Sequence, residues 1–245
     1  MKTFSIINIK GGVGKTATNL CMSSILSEKL KRKVLSIDMD SQNSLSSHHL
    51  IDYSGYTIKD VLLGRVTIDQ ALNCLTDKHE FIPSDIELMT INHNLNMPAR
   101  ETLLTQKLLP YDGDYDYCLI DTPPNLMLET SMAIHAADVI LIPTQLNRWS
   151  MTAIDLTIDW VHQIEKAYKL PEKLITILPK FYHRNSVSMT VLRNLREKYR
   201  EQVPDTIIRK RLDMDKVSLM KLDISAYTSS DVYSDYYKFI KEVHL

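Results

Sequence analysis

Gly11, Gly12 and Gly14 fall within four residues of a chain that holds only six glycines in 245. A sequence so sparing of glycine uses it here for backbone reasons, to reach positive φ and to let main-chain amides approach a ligand closely. Lys15 and Thr16 follow directly, in I-K-G-G-V-G-K-T. A strand, a glycine-rich turn and a helix start leave several free N–H groups aimed at one point. The helix dipole favours an anion there, and Lys15 adds a formal charge suited to the β and γ phosphates of a nucleotide. The Thr16 hydroxyl is then a ligand for Mg2+. Gly11, Gly12, Val13, Gly14, Lys15, Thr16 and Ala17 are the candidate phosphate-binding residues. The spelling departs from G-x-x-x-x-G-K-[ST] at its first position, which is Ile9, and places a second lysine, Lys10, at the mouth of the loop.

Acids stand where such a loop needs them. Val34-Leu35-Ser36-Ile37 runs into Asp38 and Asp40, and Tyr117-Cys118-Leu119-Ile120 runs into Asp121. Ligands of an open parallel sheet bind outside the carboxyl ends of its strands, so these acids and the glycine loop are expected to converge on one crevice. Asp121, ending a neighbouring apolar strand, fits the role of Mg2+ partner. No N-K-x-D or T-K-x-D sequence occurs, so ATP is expected in preference to GTP.

The elements that must hold these groups alternate. Near-continuous apolar runs at Phe4 to Ile9, Val34 to Ile37, Tyr117 to Ile120, Val139 to Ile142 and Leu174 to Leu178 read as strands buried on both faces. Helices are expected over Lys15 to Lys31, Thr57 to Leu63, Thr67 to Leu75, Ala99 to Leu109, Leu126 to Ala136, Ser150 to Tyr168, Val187 to Arg200 and Asp231 to Val243, with Thr57 and Thr67 as N-caps. The polar stretch His79 to Met97 reads as a long connection. The fold class is α/β, a mostly parallel twisted sheet with helices on both faces, in one domain spanning 1–245.

Composition is that of an ordinary globular chain, 44% hydrophobic and 24% charged. The longest apolar runs are strand-sized and no export leader is evident, so a cytoplasmic protein without membrane segments is expected. Cys21, Cys74 and Cys118 include no C-x-x-C pair, which argues against a disulfide framework, zinc or an iron–sulfur cluster.

K-G-G-V-G-K-T at 10 to 16, D-M-D-S-Q-N-S at 38 to 44 and D-T-P-P-N at 121 to 125 resemble the three nucleotide motifs of the ParA/MinD family of deviant Walker P-loop NTPases. T-I-K-D-V-L-L-G (57 to 64), F-I-P-S-D-I-E-L (81 to 88) and P-T-Q-L (143 to 146) resemble plasmid and chromosome partition ATPases of the ParA type. The likeness covers most of the chain. It implies that Lys10 is the signature lysine, which reaches across a nucleotide-sandwich homodimer to phosphates held by the other subunit. A cation supplied in this way stabilises charge on a transferred phosphoryl, as an arginine finger does. By the same similarity Asp40 positions or polarises the attacking water beside Mg2+, and Asp38 orients its loop. Ser41 replaces the family's usual proline. Adenine contacts map to Lys180-Phe181 and Ile208-Arg209, although Arg209 stands where relatives have proline.

Charge is unevenly spread. The net charge is −1, yet Lys180 to Leu222 carries eleven lysines and arginines against five acids. Such a surplus on one face binds DNA without reading its sequence. The resemblance supports this with nonspecific, ATP-dependent DNA binding, placing Arg184 in the contact; Asp213 replaces a second family arginine, leaving Arg209, Lys210, Arg211 and Lys216 as the nearest candidates. It further implies a ParB-like centromere-binding partner that stimulates slow hydrolysis, and a nucleoid-associated location. Strand one starts at Lys2, so no helix-turn-helix extension is expected. Apolar residues at 232, 236, 239, 240 and 243 suit either a terminal helix packed on the sheet or a MinD-like membrane helix. Lys238 and Lys241 are opposed by Asp231, Asp235 and Glu242, which favours packing. The competing functions are a MinD-like membrane-bound positioning ATPase and a nucleotide-binding scaffold without turnover.

Overall fold

The computed structural model describes residues 1–49, 55–182, 186–209 and 231–243. Eight strands form one sheet: β1 (Lys2–Ile6), β2 (Val34–Asp38), β3 (Asn73–Thr76), β4 (His79–Ile82), β5 (Tyr117–Asp121), β6 (Val139–Gln145), β7 (Leu174–Tyr182) and β8 (Ile208–Arg209). Their order across the sheet is β3-β4-β2-β5-β1-β6-β7-β8, and every neighbouring pair is parallel except β3 with β4. Between them lie α1 (Lys15–Ser24, continued by a π-helical turn, Ile25–Lys29), α2 (Ser44–His49), α3 (Ile58–Leu62), α4 (Ile68–Ala71), α5 (Ile91–Asn94), α6 (Leu103–Leu108), α7 (Leu128–Ala136), α8 (Ser150–Tyr168), α9 (Ser186–Tyr199) and α10 (Asp231–Glu242).

Both faces of the central strands are covered, which is why their sequences are apolar almost without interruption. Phe4 and Ile6 pack with Cys21, Met22 and Ile25 after β1 and with Tyr236 and Phe239 of α10. Ser5, on the opposite face, donates its hydroxyl to the Ala133 carbonyl of α7 at 2.6 Å. The apolar stripe of α10 is a core face: Val232, Tyr233, Tyr236, Phe239 and Ile240 are buried. Among the described residues no helix is long and apolar enough to cross a membrane.

Two expectations fail on the far side of the sheet. The helix expected from Thr67 to Leu75 stops at Ala71, and residues 73–76 form β3, antiparallel to β4. The Thr67 cap itself is present, with the Thr67 amide donating to Gln70 Oε1 at 2.9 Å. The stretch read as a connection from His79 contains β4, which pairs with β2 and buries Phe81 and Ile82 completely. Burial of those two side chains and ladder hydrogen bonds outweigh the weak local helix preference of a four-residue segment.

The register fixes the site. Ile6 and Asp38 both stand opposite Asp121 in the ladder, so β1, β2 and β5 end level with one another, at the start of the glycine loop.

Candidate nucleotide site

Gly12 and Gly14 have φ of 72° and 88°, a left-handed backbone that strains any residue with a Cβ. Gly14 is the N-cap of α1 and no side chain among the described residues caps the helix, so the first amides of α1 suit an anion. A Cβ added at Gly11 or Gly12 would meet nothing within 4 Å, so the loop faces open space. Lys15 is 8% exposed, and its ammonium donates to the Asn8 carbonyl at 3.2 Å. Burial lowers its pKa, while the charges of Asp121 and Asp40 hold it up. The cation and both acids therefore share one pocket.

Thr16 donates its hydroxyl to Asp121 Oδ2 at 2.6 Å. The other oxygen, Oδ1, is buried and has no hydrogen-bond partner among the described residues. A threonine hydroxyl beside an unsatisfied carboxylate oxygen is a hard oxygen donor set, and it fits Mg2+ with its retained waters. Asp38 is tied internally: Oδ1 accepts from the Asp40 amide at 3.0 Å, and Oδ2 accepts from the Ser46 amide at 3.0 Å and its hydroxyl at 2.8 Å. Ser46 Oγ in turn accepts from the Ser84 amide at 2.9 Å, so Asp38 pins the 40–46 loop to the sheet. Asp40 is half-exposed, and among the described residues its carboxylate accepts from the Gln42 amide of its own loop at 2.9 Å.

Burial pushes the Asp38 carboxyl up to about 6 and that of Asp121 up to about 8, the latter also repelled by Asp38. Both values exceed the unfolded range near 3.9, so each group's contribution to stability is full below about pH 4 and is lost as pH rises through its folded value. The nucleotide-free protein is therefore expected to melt at progressively lower temperature from about pH 4 to about pH 8, the part above about pH 6 coming from Asp121. An Asp121→Asn variant is expected to lose the upper part of that decline. Melting curves across this range check it, and equal slopes in the two proteins would contradict it.

Lys10 is held twice. Its amide donates to Asn8 Oδ1 at 2.9 Å, and its ammonium donates to Asn147 Oδ1 at 3.1 Å, just beyond β6. From the same segment, Gln145 Nε2 donates to the Gly12 carbonyl at 2.8 Å. Asn8, Gln145 and Asn147 thus brace the loop. None was legible as a site residue, since neutral amides scattered over the chain have no pattern, although Gln145 lies in the P-T-Q-L match. Glu129 was also missed. It is 6% exposed at the start of α7, feels the charge of Asp40, and its Oε2 has no hydrogen-bond partner among the described residues. Its one signal was an acid within the apolar run L-M-L-E-T-S-M.

The adenine and DNA assignments need correction where the structure describes them. Ile208 is buried with Leu178 and Tyr236 in the core, because β8 lies beneath α10. Arg209 forms an ion pair with Asp235 at 2.8 Å and reaches Asp231 at 3.4 Å, so its guanidinium holds α10 rather than standing ready for phosphate or base. Lys180, counted in the basic surplus and paired with Phe181 as an adenine contact, is in the core behind the loop. Phe181 lies in β7, one residue beyond Lys180. Arg184, Lys210, Arg211 and Lys216 lie outside the described residues, as does Asp213. On α9 the surplus is partly neutralised: Arg193 lies 4.0 Å from Glu197, Arg196 3.5 Å from Asp205 and Lys198 2.6 Å from Asp155.

A parallel sheet whose first strand ends in this loop, beside an acid-ended strand that meets Thr16, defines a P-loop nucleotide-binding protein. Residues 1–175 match the AAA_31 family, described as an AAA domain. The chain is 27% identical over 252 aligned positions to the chromosome partitioning protein ParA of Caulobacter vibrioides, covering 99% of this chain and 94% of that one. A plasmid partition protein of Borrelia burgdorferi bound to AMPPNP shares the fold, with a TM-score of 0.85, 24% identity, and 99% and 97% of the two chains covered. Cobyrinic acid a,c-diamide synthase of Mycobacterium smegmatis, solved with an ATP analogue and magnesium, superposes with a TM-score of 0.79 at 26% identity, over 93% and 95% of the chains. The chain belongs to the AAA_31 family, among the ParA-type partition ATPases.

Proposed function

We propose that this protein is a DNA-partition ATPase that closes as a homodimer around two ATP molecules, holds DNA without sequence preference in that state, and hydrolyses ATP slowly until a ParB-like partner accelerates it. The observation that carries the reading is the two-lysine loop: Lys15 lies inside it against the Asn8 carbonyl, and Lys10 lies at its mouth on a neutral amide. Two cations so placed suit two sets of phosphates.

Lys15 exchanges the Asn8 carbonyl for the β and γ phosphates, and the amides at the start of α1 take the remaining oxygens. Thr16 and Asp121 would hold Mg2+, which would neutralise phosphate charge. Asp40 orients the attacking water. It overlooks the loop from a half-exposed position, while Asp38 and Ser46 fix its backbone. Lys10 leaves Asn147 for the phosphates of the twin subunit. DNA binding rests on Arg184, Lys210, Arg211 and Lys216, since the described cations of α9 lie beside acids of the same surface. A DNA-bound protein of this kind is nucleoid-associated.

Asp40→Ala is expected to release phosphate at least about 100-fold more slowly than the parent, the scale of losing one group that acts only in the transition state. It should accumulate as an ATP-bound dimer that shifts random-sequence duplex DNA in a gel. Phosphate release at the parent rate would remove Asp40 from the mechanism.

A further inference from the structure

We propose that Lys180 is a positioning residue for the nucleotide phosphates, acting from behind the glycine loop, with the C-terminal helix α10 as its brace. This rests on the reading of the loop as an ATP site.

Lys180 is on β7 and 1% exposed. Its ammonium donates to the Gly14 carbonyl at 2.8 Å and to Thr18 Oγ1 at 2.9 Å. Thr18 spends its one hydroxyl proton on the same Gly14 carbonyl, at 2.8 Å. Tyr236 of α10, whose hydroxyl lies 2.9 Å from Thr18 Oγ1, is therefore the donor in that pair. The Tyr236 ring lies 5.4 Å below the ammonium, within reach of a cation–π attraction. The Thr18 amide closes the first helical bond to the same carbonyl at 3.0 Å. Three donors thus converge on the carbonyl of the left-handed glycine that opens α1, one of them carrying a full charge.

The carbonyl of Gly14 and the amide of Lys15 belong to one peptide group. A cation on that carbonyl polarises the group and makes its N–H a stronger donor on the opposite side, where the phosphates bind. The ammonium also adds its own field behind the loop. An apolar side chain of the same length would fill the space without the cost of removing a charge from water. A polyphosphate in front of the loop offsets that cost, so the benefit of the cation appears only with nucleotide bound. Burial lowers the Lys180 pKa to about 8, while Cys21 and Asp121 act to raise it, so the group is largely charged at neutral pH.

The test uses Lys180→Met and Tyr236→Phe in the full chain, with titration of a fluorescent ATP analogue plus Mg2+ and melting curves without nucleotide. Lys180→Met is expected to melt at or above the parent temperature yet to bind the analogue at least about tenfold more weakly, the scale of one charge-assisted hydrogen bond. A residue that merely supports the fold would lower the melting temperature of the nucleotide-free protein and leave the affinity of the folded fraction unchanged. Tyr236→Phe, which keeps the ring and removes one neutral hydrogen bond, is expected to weaken binding by about twofold to fivefold. A folded Lys180→Met that binds within twofold of the parent overturns the proposal alone. If that variant fails to fold, unchanged affinity in Tyr236→Phe overturns it and weakened affinity supports it. A parent protein that binds no ATP overturns the nucleotide reading, and this inference with it.

Discussion

Lys15→Ala is expected to bind ATP at least about 100-fold more weakly than the parent while remaining folded, since two charge-assisted hydrogen bonds at ~1.5–3 kcal/mol each are lost. Lys15 is the buried cation on the phosphate side of the loop, and among the described residues its ammonium hydrogen-bonds the neutral Asn8 carbonyl. Nothing in the fold depends on that bond: Asn8 also anchors itself by donating its side-chain amide to the Pro143 carbonyl at 2.9 Å. Truncation removes a charge whose burial is unfavourable but also the cation that faces Asp121 and Asp40, so the nucleotide-free melting temperature is measured beside the affinity. Calorimetric titration together with melting curves separates the two effects. A folded Lys15→Ala protein that binds ATP within threefold of the parent would place the phosphates elsewhere.

Lys10→Ala is expected to behave in the opposite way, binding ATP within about threefold of the parent and yet losing turnover by a factor on the order of 10³, the scale of an arginine finger supplied from a partner. The bond that shapes the loop at this residue is made by the Lys10 amide to Asn8 Oδ1, and alanine retains it. Only the ammonium on Asn147 is lost. One subunit's phosphate site is therefore left intact, while the contact offered to a second subunit is removed. Equal loss of ATP affinity in Lys10→Ala and Lys15→Ala would show that both lysines serve the same bound nucleotide.

The chemistry of the loop was legible because it is local. Glycines at fixed spacing, a following Lys-Thr and acids at the ends of apolar strands carry their meaning within a few residues, and the ladder register then aligns them. The interior strands were legible for the same reason, being buried on both faces. The β3–β4 hairpin was not. Its edge strand is short and half-exposed, and its pairing depends on β2 some forty residues away. The braces come from two separate segments, Asn8 after β1 and Gln145 with Asn147 at the end of β6, and neutral amides so divided mark no site beyond the P-T-Q-L match that holds Gln145.

Lys180 was misread for a different reason. Counting charge along a segment assumes that every lysine reaches solvent, but strand alternation says otherwise here. Leu178 packs in the core cluster of α10, and Lys180, two residues on, points to the same face. The parity of β7 held the signal, and the charge count concealed it. Arg209 was misread similarly, because its partners Asp231 and Asp235 arrive from the last helix, more than twenty residues later.

Light scattering after size exclusion, in the presence of Mg2+ and a non-hydrolysable ATP analogue, is the most direct test of a site completed by a second subunit. The chain has a mass of 28.2 kDa. The parent is expected to run at twice that mass with the analogue and at the single mass with ADP or without nucleotide, and Lys10→Ala to stay at the single mass throughout. A parent protein that remains at 28.2 kDa with the analogue bound would contradict the nucleotide-sandwich dimer.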